Sequence, residues 1–337
     1  MTIKKVLVLV EQMAERPAPY LNRLCRAGFE VVHSGLRRLP TEDELIERLP
    51  GVFATIAGGE PYTERVFQSA TELRIVARFG VGWDQIDVSA ATRRGIAIAM
   101  AFGANHEAVA DGAFTLLSAC ACNLPTKHML VAAGGWGCGF HHGIWRQTLG
   151  IIGMGRIGRA LARRCKRGFD MRVLAYDLAP DRDYAAAEGI ELVDLDTLLA
   201  TADFVSLHVP YNHENEGLIN AAKLARMKPS AFLINTARGA LVDEAALYEA
   251  LMTRRIAGAG LDVYRKEPPV GSPLLGLDNV VLLPHSSGMD ETAEMGMANR
   301  CIDSILSYAR GEHPGVEYLV NPSVLSVPGN GPMSEVL

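Results

Sequence analysis

The chain has 337 residues, of which 49% are hydrophobic and 21% charged, with a formal net charge of −5 and a pI near 6.0. That describes an ordinary globular protein with room for about two domains, because single cores stop growing near 250 to 300 residues. The acidic balance argues against nucleic-acid or membrane partners. The apolar run within Met1 to Val10 is too short for a signal-peptide core, and no run approaches a membrane span of about 18 apolar residues, so a cytoplasmic location is expected.

Apolar runs alternate with helical patterns along nearly the whole chain, the signature of parallel α/β architecture. Strands are predicted near 6–10, 30–33, 53–56, 75–78 and 96–99, and again near 149–152, 171–176, 203–207, 231–234, 257–261 and 280–283. These are two doubly wound units. Between them the pattern predicts a helix over about 105–122, then an aperiodic segment rich in glycine, histidine and tryptophan over 134–146. Such a segment is long for a plain connection and is expected to be functional or an arm between subunits. A last helix over about 290–309 is expected to cross back to the first unit. The predicted domains are therefore 1–103 plus 293–337, and 104–292, with hinges near 101–104 and 288–292. The six cysteines lack a disulfide framework and are expected to be reduced. Cys120, Cys122, Cys138, His141 and His142 do not fit the spacing of a zinc site.

Gly153, Gly155 and Gly158 form a G-x-G-x-x-G between a predicted strand and an amphipathic stretch. The first glycine suits a tight turn, the second close approach of a pyrophosphate, and the third close packing of helix on strand; the phosphates would then meet the helix N-terminus. A second strand ends in Asp177, 177 − 158 = 19 residues beyond the last glycine. A carboxylate there suits a ribose 2′-hydroxyl, and Leu178-Ala179-Pro180 places no cation beside it for a 2′-phosphate, so NAD is expected rather than NADP.

Three predicted strands of the second half run into chemically useful residues: Ala231–Asn235 into Arg238, Ala259–Leu261 into Asp262 and Lys266-Glu267-Pro268, and Val280–Leu283 into Pro284-His285. Doubly wound sheets bind ligands at the carboxyl ends of their strands. A cation, an acid and a base gathered there suit hydride exchange with a carbinol that bears a carboxylate.

The glycine run, the block Asn235-Thr-Ala-Arg238-Gly-Ala-Leu-Val-Asp243-Glu, the block Gly258-Ala-Gly-Leu-Asp262-Val with Glu267-Pro268, and Leu283-Pro-His285 together resemble the D-isomer-specific 2-hydroxyacid dehydrogenases. The likeness continues through Arg78-Phe-Gly80-Val-Gly82-Trp-Asp84-Gln-Ile-Asp87 and Gly103-Ala-Asn105-His-Glu-Ala-Val-Ala110-Asp111, covering about 55–310. It implies an α/β fold of two doubly wound parallel-sheet domains, a flavodoxin-like substrate domain and a Rossmann NAD-binding domain. It implies a homodimer acting on a small 2-keto or 2-hydroxy acid. Arg238 would hold the substrate carboxylate and polarise the keto oxygen. His285 would exchange a proton with that oxygen, and Glu267 would pair with the imidazole, stabilising its charged form and orienting the ring. Val81 and Gly82 would receive the carboxylate on backbone N–H groups. Arg156 and Ile157 would face the pyrophosphate, His208, Val209 and Pro210 the adenosine, and Thr236, Ala237, Asp262 and Gly288 the nicotinamide side. Within the family, Arg78 and the 103–111 block look most like 3-phosphoglycerate dehydrogenases, with Arg78 as a candidate phosphate ligand. A glyoxylate, hydroxypyruvate or other small keto-acid reductase is the alternative enzyme, and an NADH-sensing corepressor-like protein the alternative of another class. Ala113, Asn212 and Asn215 stand where many relatives carry threonine.

Overall fold

The computed structural model describes residues 3–10, 13, 19–137, 139–312 and 314–326. The chain divides into two units, Met1–Asn105 with Glu291–Leu337, and His106–Asp290. In the first, strands β1 (Lys5–Val8), β2 (Glu30–His33), β3 (Val52–Ala57), β4 (Ile75–Arg78) and β5 (Ala97–Met100) form a parallel sheet in the order β2-β1-β3-β4-β5. All residues of β3 and β5 are buried, as expected of strands covered on both faces, which is why they read as unbroken apolar runs.

Side-chain caps set where several crossover helices start. Thr41 and Glu44 form a reciprocal capping box at Glu42–Arg48, and Asp87 accepts the Ala90 N–H at Val88–Arg93. The long helix Glu291–Ala309 returns to this unit and buries Met297, Ala298, Cys301, Ile302 and Ile305, a stripe at helical spacing. Beyond it, Asn321 is buried. It accepts the Ile98 N–H at 2.8 Å and donates to the Ile96 carbonyl at 2.9 Å, so the late chain fastens the open edge of β5.

In the second unit, β6 (Thr148–Ile152), β7 (Arg172–Tyr176), β8 (Glu191–Leu192), β9 (Phe204–Leu207), β10 (Phe232–Asn235), β11 (Gly258–Leu261) and β12 (Val280–Leu282) form a parallel sheet in the order β12-β11-β10-β9-β6-β7-β8. The order reverses between β6 and β9, which makes their carboxyl ends the switch point where such sheets bind ligands. Helix His106–Cys122 is rich in small residues and lies in the core. Gly260 of β11 meets it so closely that a Cβ would sit 2.9 Å from the Leu116 Cβ.

Two elements depart from the sequence reading. The pair Glu191–Leu192 is a strand too short to show a period. Helix Leu124–Ala132, also not predicted, has no buried residue and hence no apolar stripe. Asn123 separates it from the preceding helix by taking a left-handed φ of 49°, and Pro125 sits in its first turn, where a missing N–H costs nothing. These two helices are bent by 63°; among the described residues no single helix is long and apolar enough to cross a membrane. The aperiodic segment after them has no regular structure among its described residues, and Trp136 and Phe140 there are almost fully exposed. Cys138 lies outside the described residues. Cys120, Cys165 and Cys301 are free thiols that burial pushes up to about 12.

Candidate active site

The glycine motif forms the turn from β6 into helix Arg156–Phe169. Gly153 adopts φ +100° and donates its N–H to the Tyr176 carbonyl at 2.9 Å. A Cβ there would meet the His208 carbonyl at 2.8 Å, and a Cβ on Gly158 would collide with the Gly153 carbonyl. At Gly155, by contrast, a Cβ would meet nothing within 4 Å. Two glycines are therefore required by the protein's own packing, whereas the middle one borders open space at the helix start, with Arg156 and Ile157 in the first turn. This is the cradle that a dinucleotide pyrophosphate requires.

Asp177, just after β7, accepts the Met154 N–H at 2.7 Å on one oxygen and the Ala179 N–H at 2.9 Å on the other. It thereby ties the glycine turn to the neighbouring strand end, and each oxygen retains a lone pair for a hydroxyl. At the end of β9, the His208 ring bonds the Ser206 hydroxyl through Nε2 at 2.9 Å while Nδ1 is buried without a partner. Burial pushes this imidazole down to about 3, which keeps it neutral. Val209 and Pro210 follow it. The Thr236 and Ser287 hydroxyls are likewise buried and unpartnered, so this strand-end region holds polar atoms that the protein leaves unsatisfied. These residues fit a bound dinucleotide.

Arg238 is placed by the turn after β10. The Asn235 side chain accepts the Ala237 N–H at 3.0 Å and donates to the Arg238 carbonyl at 2.8 Å, bracketing the turn. A Cβ on Gly239 would collide with the backbone of Tyr264 and Arg265, so glycine lets this turn press against the loop after β11. That loop carries Glu267, whose Oε1 accepts the Tyr264 N–H at 3.1 Å and whose Oε2 lies 2.7 Å from His285 Nδ1. Burial opposes ionisation of Glu267. The hydrogen bond and charge of His285, the Tyr264 N–H and the charge of Arg238 outweigh it, holding this carboxyl below the usual range.

His285 takes φ +55°, a conformation that costs an L-residue about 1–2 kcal/mol. Asp262 supports it. The buried Asp262 receives the His285 N–H on its backbone carbonyl at 2.8 Å, and the Ser286 and Ser287 N–H groups on its two carboxylate oxygens at 2.8 and 3.0 Å. Gly288 lies in the turn that this network holds, where Met289 N–H meets the Ser286 carbonyl. Gly112, on the core helix, faces Ser287 where a Cβ would collide. The structure thus brings Arg238, Glu267 and His285 to the ends of adjacent strands β10, β11 and β12. It also shows three residues that the sequence reading did not single out. Asn235 fixes the Arg238 turn, Ser287 is held by Asp262, and the Tyr264 hydroxyl donates to the Leu283 carbonyl at 2.8 Å just before His285. The polar residue at the end of an apolar strand was the available signal for Asn235; Tyr264 and Ser287 gave none.

In the other unit, Arg78 ends β4, followed by Phe79 and Gly80 at φ +144° and then Val81 and Gly82. The Arg78 guanidinium donates to the Phe79 carbonyl at 2.5 Å and to the Ala57 carbonyl at 3.5 Å, binding the ends of β4 and β3.

A strand-ended Arg, Glu and His beside a dinucleotide cradle fit an oxidoreductase of hydroxy acids. Residues 114–287 match the family model described as D-isomer specific 2-hydroxyacid dehydrogenase, NAD binding domain. The chain is 43% identical over 296 residues to a glyoxylate reductase of Korarchaeum cryptofilum, covering 86% of this chain and 88% of that one. It is 40% identical over 312 residues to a D-3-phosphoglycerate dehydrogenase of Archaeoglobus fulgidus, covering 91% of this chain but 58% of that one. The crystal structure of the TT0316 protein from Thermus thermophilus superposes with a TM-score of 0.85 at 37% identity, covering 94% of this chain and 99% of that one. The chain belongs to the D-isomer-specific 2-hydroxyacid dehydrogenase family. It is an NAD-dependent 2-hydroxyacid dehydrogenase.

Proposed function

We propose that this enzyme interconverts a small, unphosphorylated 2-keto acid, of the glyoxylate and hydroxypyruvate class, with its 2-hydroxy acid, the D isomer wherever carbon 2 becomes a stereocentre. The observation that carries the reaction is the His285–Glu267 pair at 2.7 Å, formed between the segments that follow β12 and β11, with Asp262 holding the His285 turn and Arg238 following the neighbouring strand β10. Because Nδ1 faces the carboxylate, Nε2 is the atom that exchanges a proton with the substrate oxygen, as acid in reduction and base in oxidation. Arg238 holds the substrate carboxylate and polarises the keto oxygen. The N–H groups of Val81 and Gly82 receive a carboxylate.

When bound, NAD carries the electron pair and hydrogen exchanged with the substrate carbon. Arg156 and Ile157 in the first helical turn hold its pyrophosphate, and Asp177 its ribose, where a carboxylate disfavours a 2′-phosphate. His208, Val209 and Pro210 border the adenosine, and Thr236, Ala237 and Gly288 the nicotinamide, with Asp262 keeping that loop in place.

The choice of substrate class rests on Arg78. Its guanidinium bonds carbonyls of its own sheet end, which fits a bracing role better than that of a phosphate ligand. The 43% identity to a glyoxylate reductase, against 40% to the phosphoglycerate dehydrogenase, supports the same choice.

His285→Asn tests the catalytic assignment, since asparagine tolerates the left-handed backbone. It should lower kcat by about 10²- to 10⁴-fold, the usual contribution of a positioned acid–base group, with NADH affinity retained. A variant that turns over at the wild-type rate would remove His285 from the reaction.

A further inference from the structure

We propose that Glu60 is a specificity-determining residue, whose buried carboxylate cancels the charge of Arg78 beside the Gly80–Gly82 loop and so turns away 2-keto acids bearing a second anionic group. The inference rests on the reading of that loop as the receiver of a substrate carboxylate. Glu60 follows β3 by three residues, and Ala57, the last residue of β3, pairs in register with Arg78 of β4. Both charges therefore sit at the carboxyl ends of two neighbouring parallel strands, where this type of sheet binds ligands.

Glu60 is 1% exposed. Its Oε1 accepts the Gly58 N–H at 3.0 Å, and its Oε2 is buried with no hydrogen-bond partner. A buried acid without a full set of partners is costly to keep, so its retention here calls for a reason beyond stability. Its charge acts on Arg78, and the guanidinium of Arg78 reaches the loop: a Cβ on Gly80 would sit 2.9 Å from Arg78 Nη1. A substrate on this loop meets the sum of the two charges rather than a bare cation. The α-carboxylate has backbone N–H groups to bind, whereas a second carboxylate or phosphate would need the net positive charge that Glu60 removes.

The pH dependence follows from burial. Burial pushes the Glu60 carboxyl up to about 7, against the pull of its own backbone N–H, the Arg78 charge and the Gly58 N–H. Above that pH it is charged and exclusion is in force; below it the acid is neutral and Arg78 acts alone. Its other neighbours do not titrate nearby. Tyr62, bonded to Thr55, is raised well above its ordinary value by burial, Cys301 on the helix near Arg78 is pushed to about 12, and the Leu39 side chain against Gly58 and Gly59 is apolar.

The test measures kcat/KM with NADH for oxaloacetate and glyoxylate from about pH 6 to 8.5, a range that brackets the Glu60 titration. In the wild type the oxaloacetate-to-glyoxylate ratio should rise about tenfold as pH falls through 7, the effect expected of removing one nearby charge. In Glu60→Gln the ratio should be high and flat. A flat wild-type ratio overturns the role of Glu60, and that arm needs no variant to fold. A ratio in Glu60→Gln that matches the wild type at the alkaline end overturns it equally. Wild-type enzyme that prefers 3-phosphohydroxypyruvate to glyoxylate overturns the small-substrate reading itself.

Discussion

At the scale of single residues, the proposed chemistry depends on a few side chains whose backbone is over-determined. His285 occupies a costly conformation, and three consecutive N–H groups converge on Asp262 to hold it there. Glu267 stays ionised because its partners outweigh burial, so its share of stability is present above the ordinary carboxylate range and lost as pH falls through its depressed value. The neutral Glu267→Gln side chain cannot favour the imidazolium. Glu267→Gln should therefore lower kcat for keto-acid reduction by about tenfold or more with NADH affinity retained, because the ring loses the charge that faces Nδ1; an unchanged kcat would separate Glu267 from the proton transfer. The residue types and their order were legible in the sequence because each of Arg238, Glu267 and His285 follows an apolar run. Their supports were not. Tyr264 acts through a hydroxyl bond to the Leu283 carbonyl, and Glu60 through burial, and neither contact has a periodicity or spacing that marks it.

At the scale of elements, the strand–turn–helix around Gly153, Gly155 and Gly158 separates two demands that the motif merges. Gly158→Ala places a methyl against the Gly153 carbonyl, a backbone atom that cannot yield, and should cost about 1–3 kcal/mol of stability with a lower Tm. Gly155→Ala enters open space at a permitted φ of −71° and should leave Tm unchanged while weakening NADH binding by about tenfold. Thermal denaturation with an NADH titration checks both; equal loss of stability in the two variants would contradict the distinction. Every strand but β8 was readable, the central ones because parallel strands buried on both faces form continuous apolar runs. Helix Leu124–Ala132 was not, because an element that buries nothing has no apolar stripe to reveal it.

At the scale of the whole molecule, one α/β plan is used twice, and the chain leaves the first unit only to return to it through Glu291–Ala309 and the segment at Asn321. The late chain supplies buried residues to the first sheet's unit, while the groups proposed to react, Arg238, Glu267 and His285, all follow strands of the second. The proposed division of labour puts cofactor and proton transfer on one sheet and the Arg78–Glu60 charges on the other. Substrate choice should therefore change at residues far in sequence from the glycine motif. The most direct measurement is steady-state kcat/KM with NADH for glyoxylate, hydroxypyruvate and 3-phosphohydroxypyruvate at about pH 8, where Glu60 is charged. Glyoxylate or hydroxypyruvate should exceed the phosphorylated acid by about tenfold or more, the loss expected where no net charge meets the phosphate. A preference for 3-phosphohydroxypyruvate would contradict it.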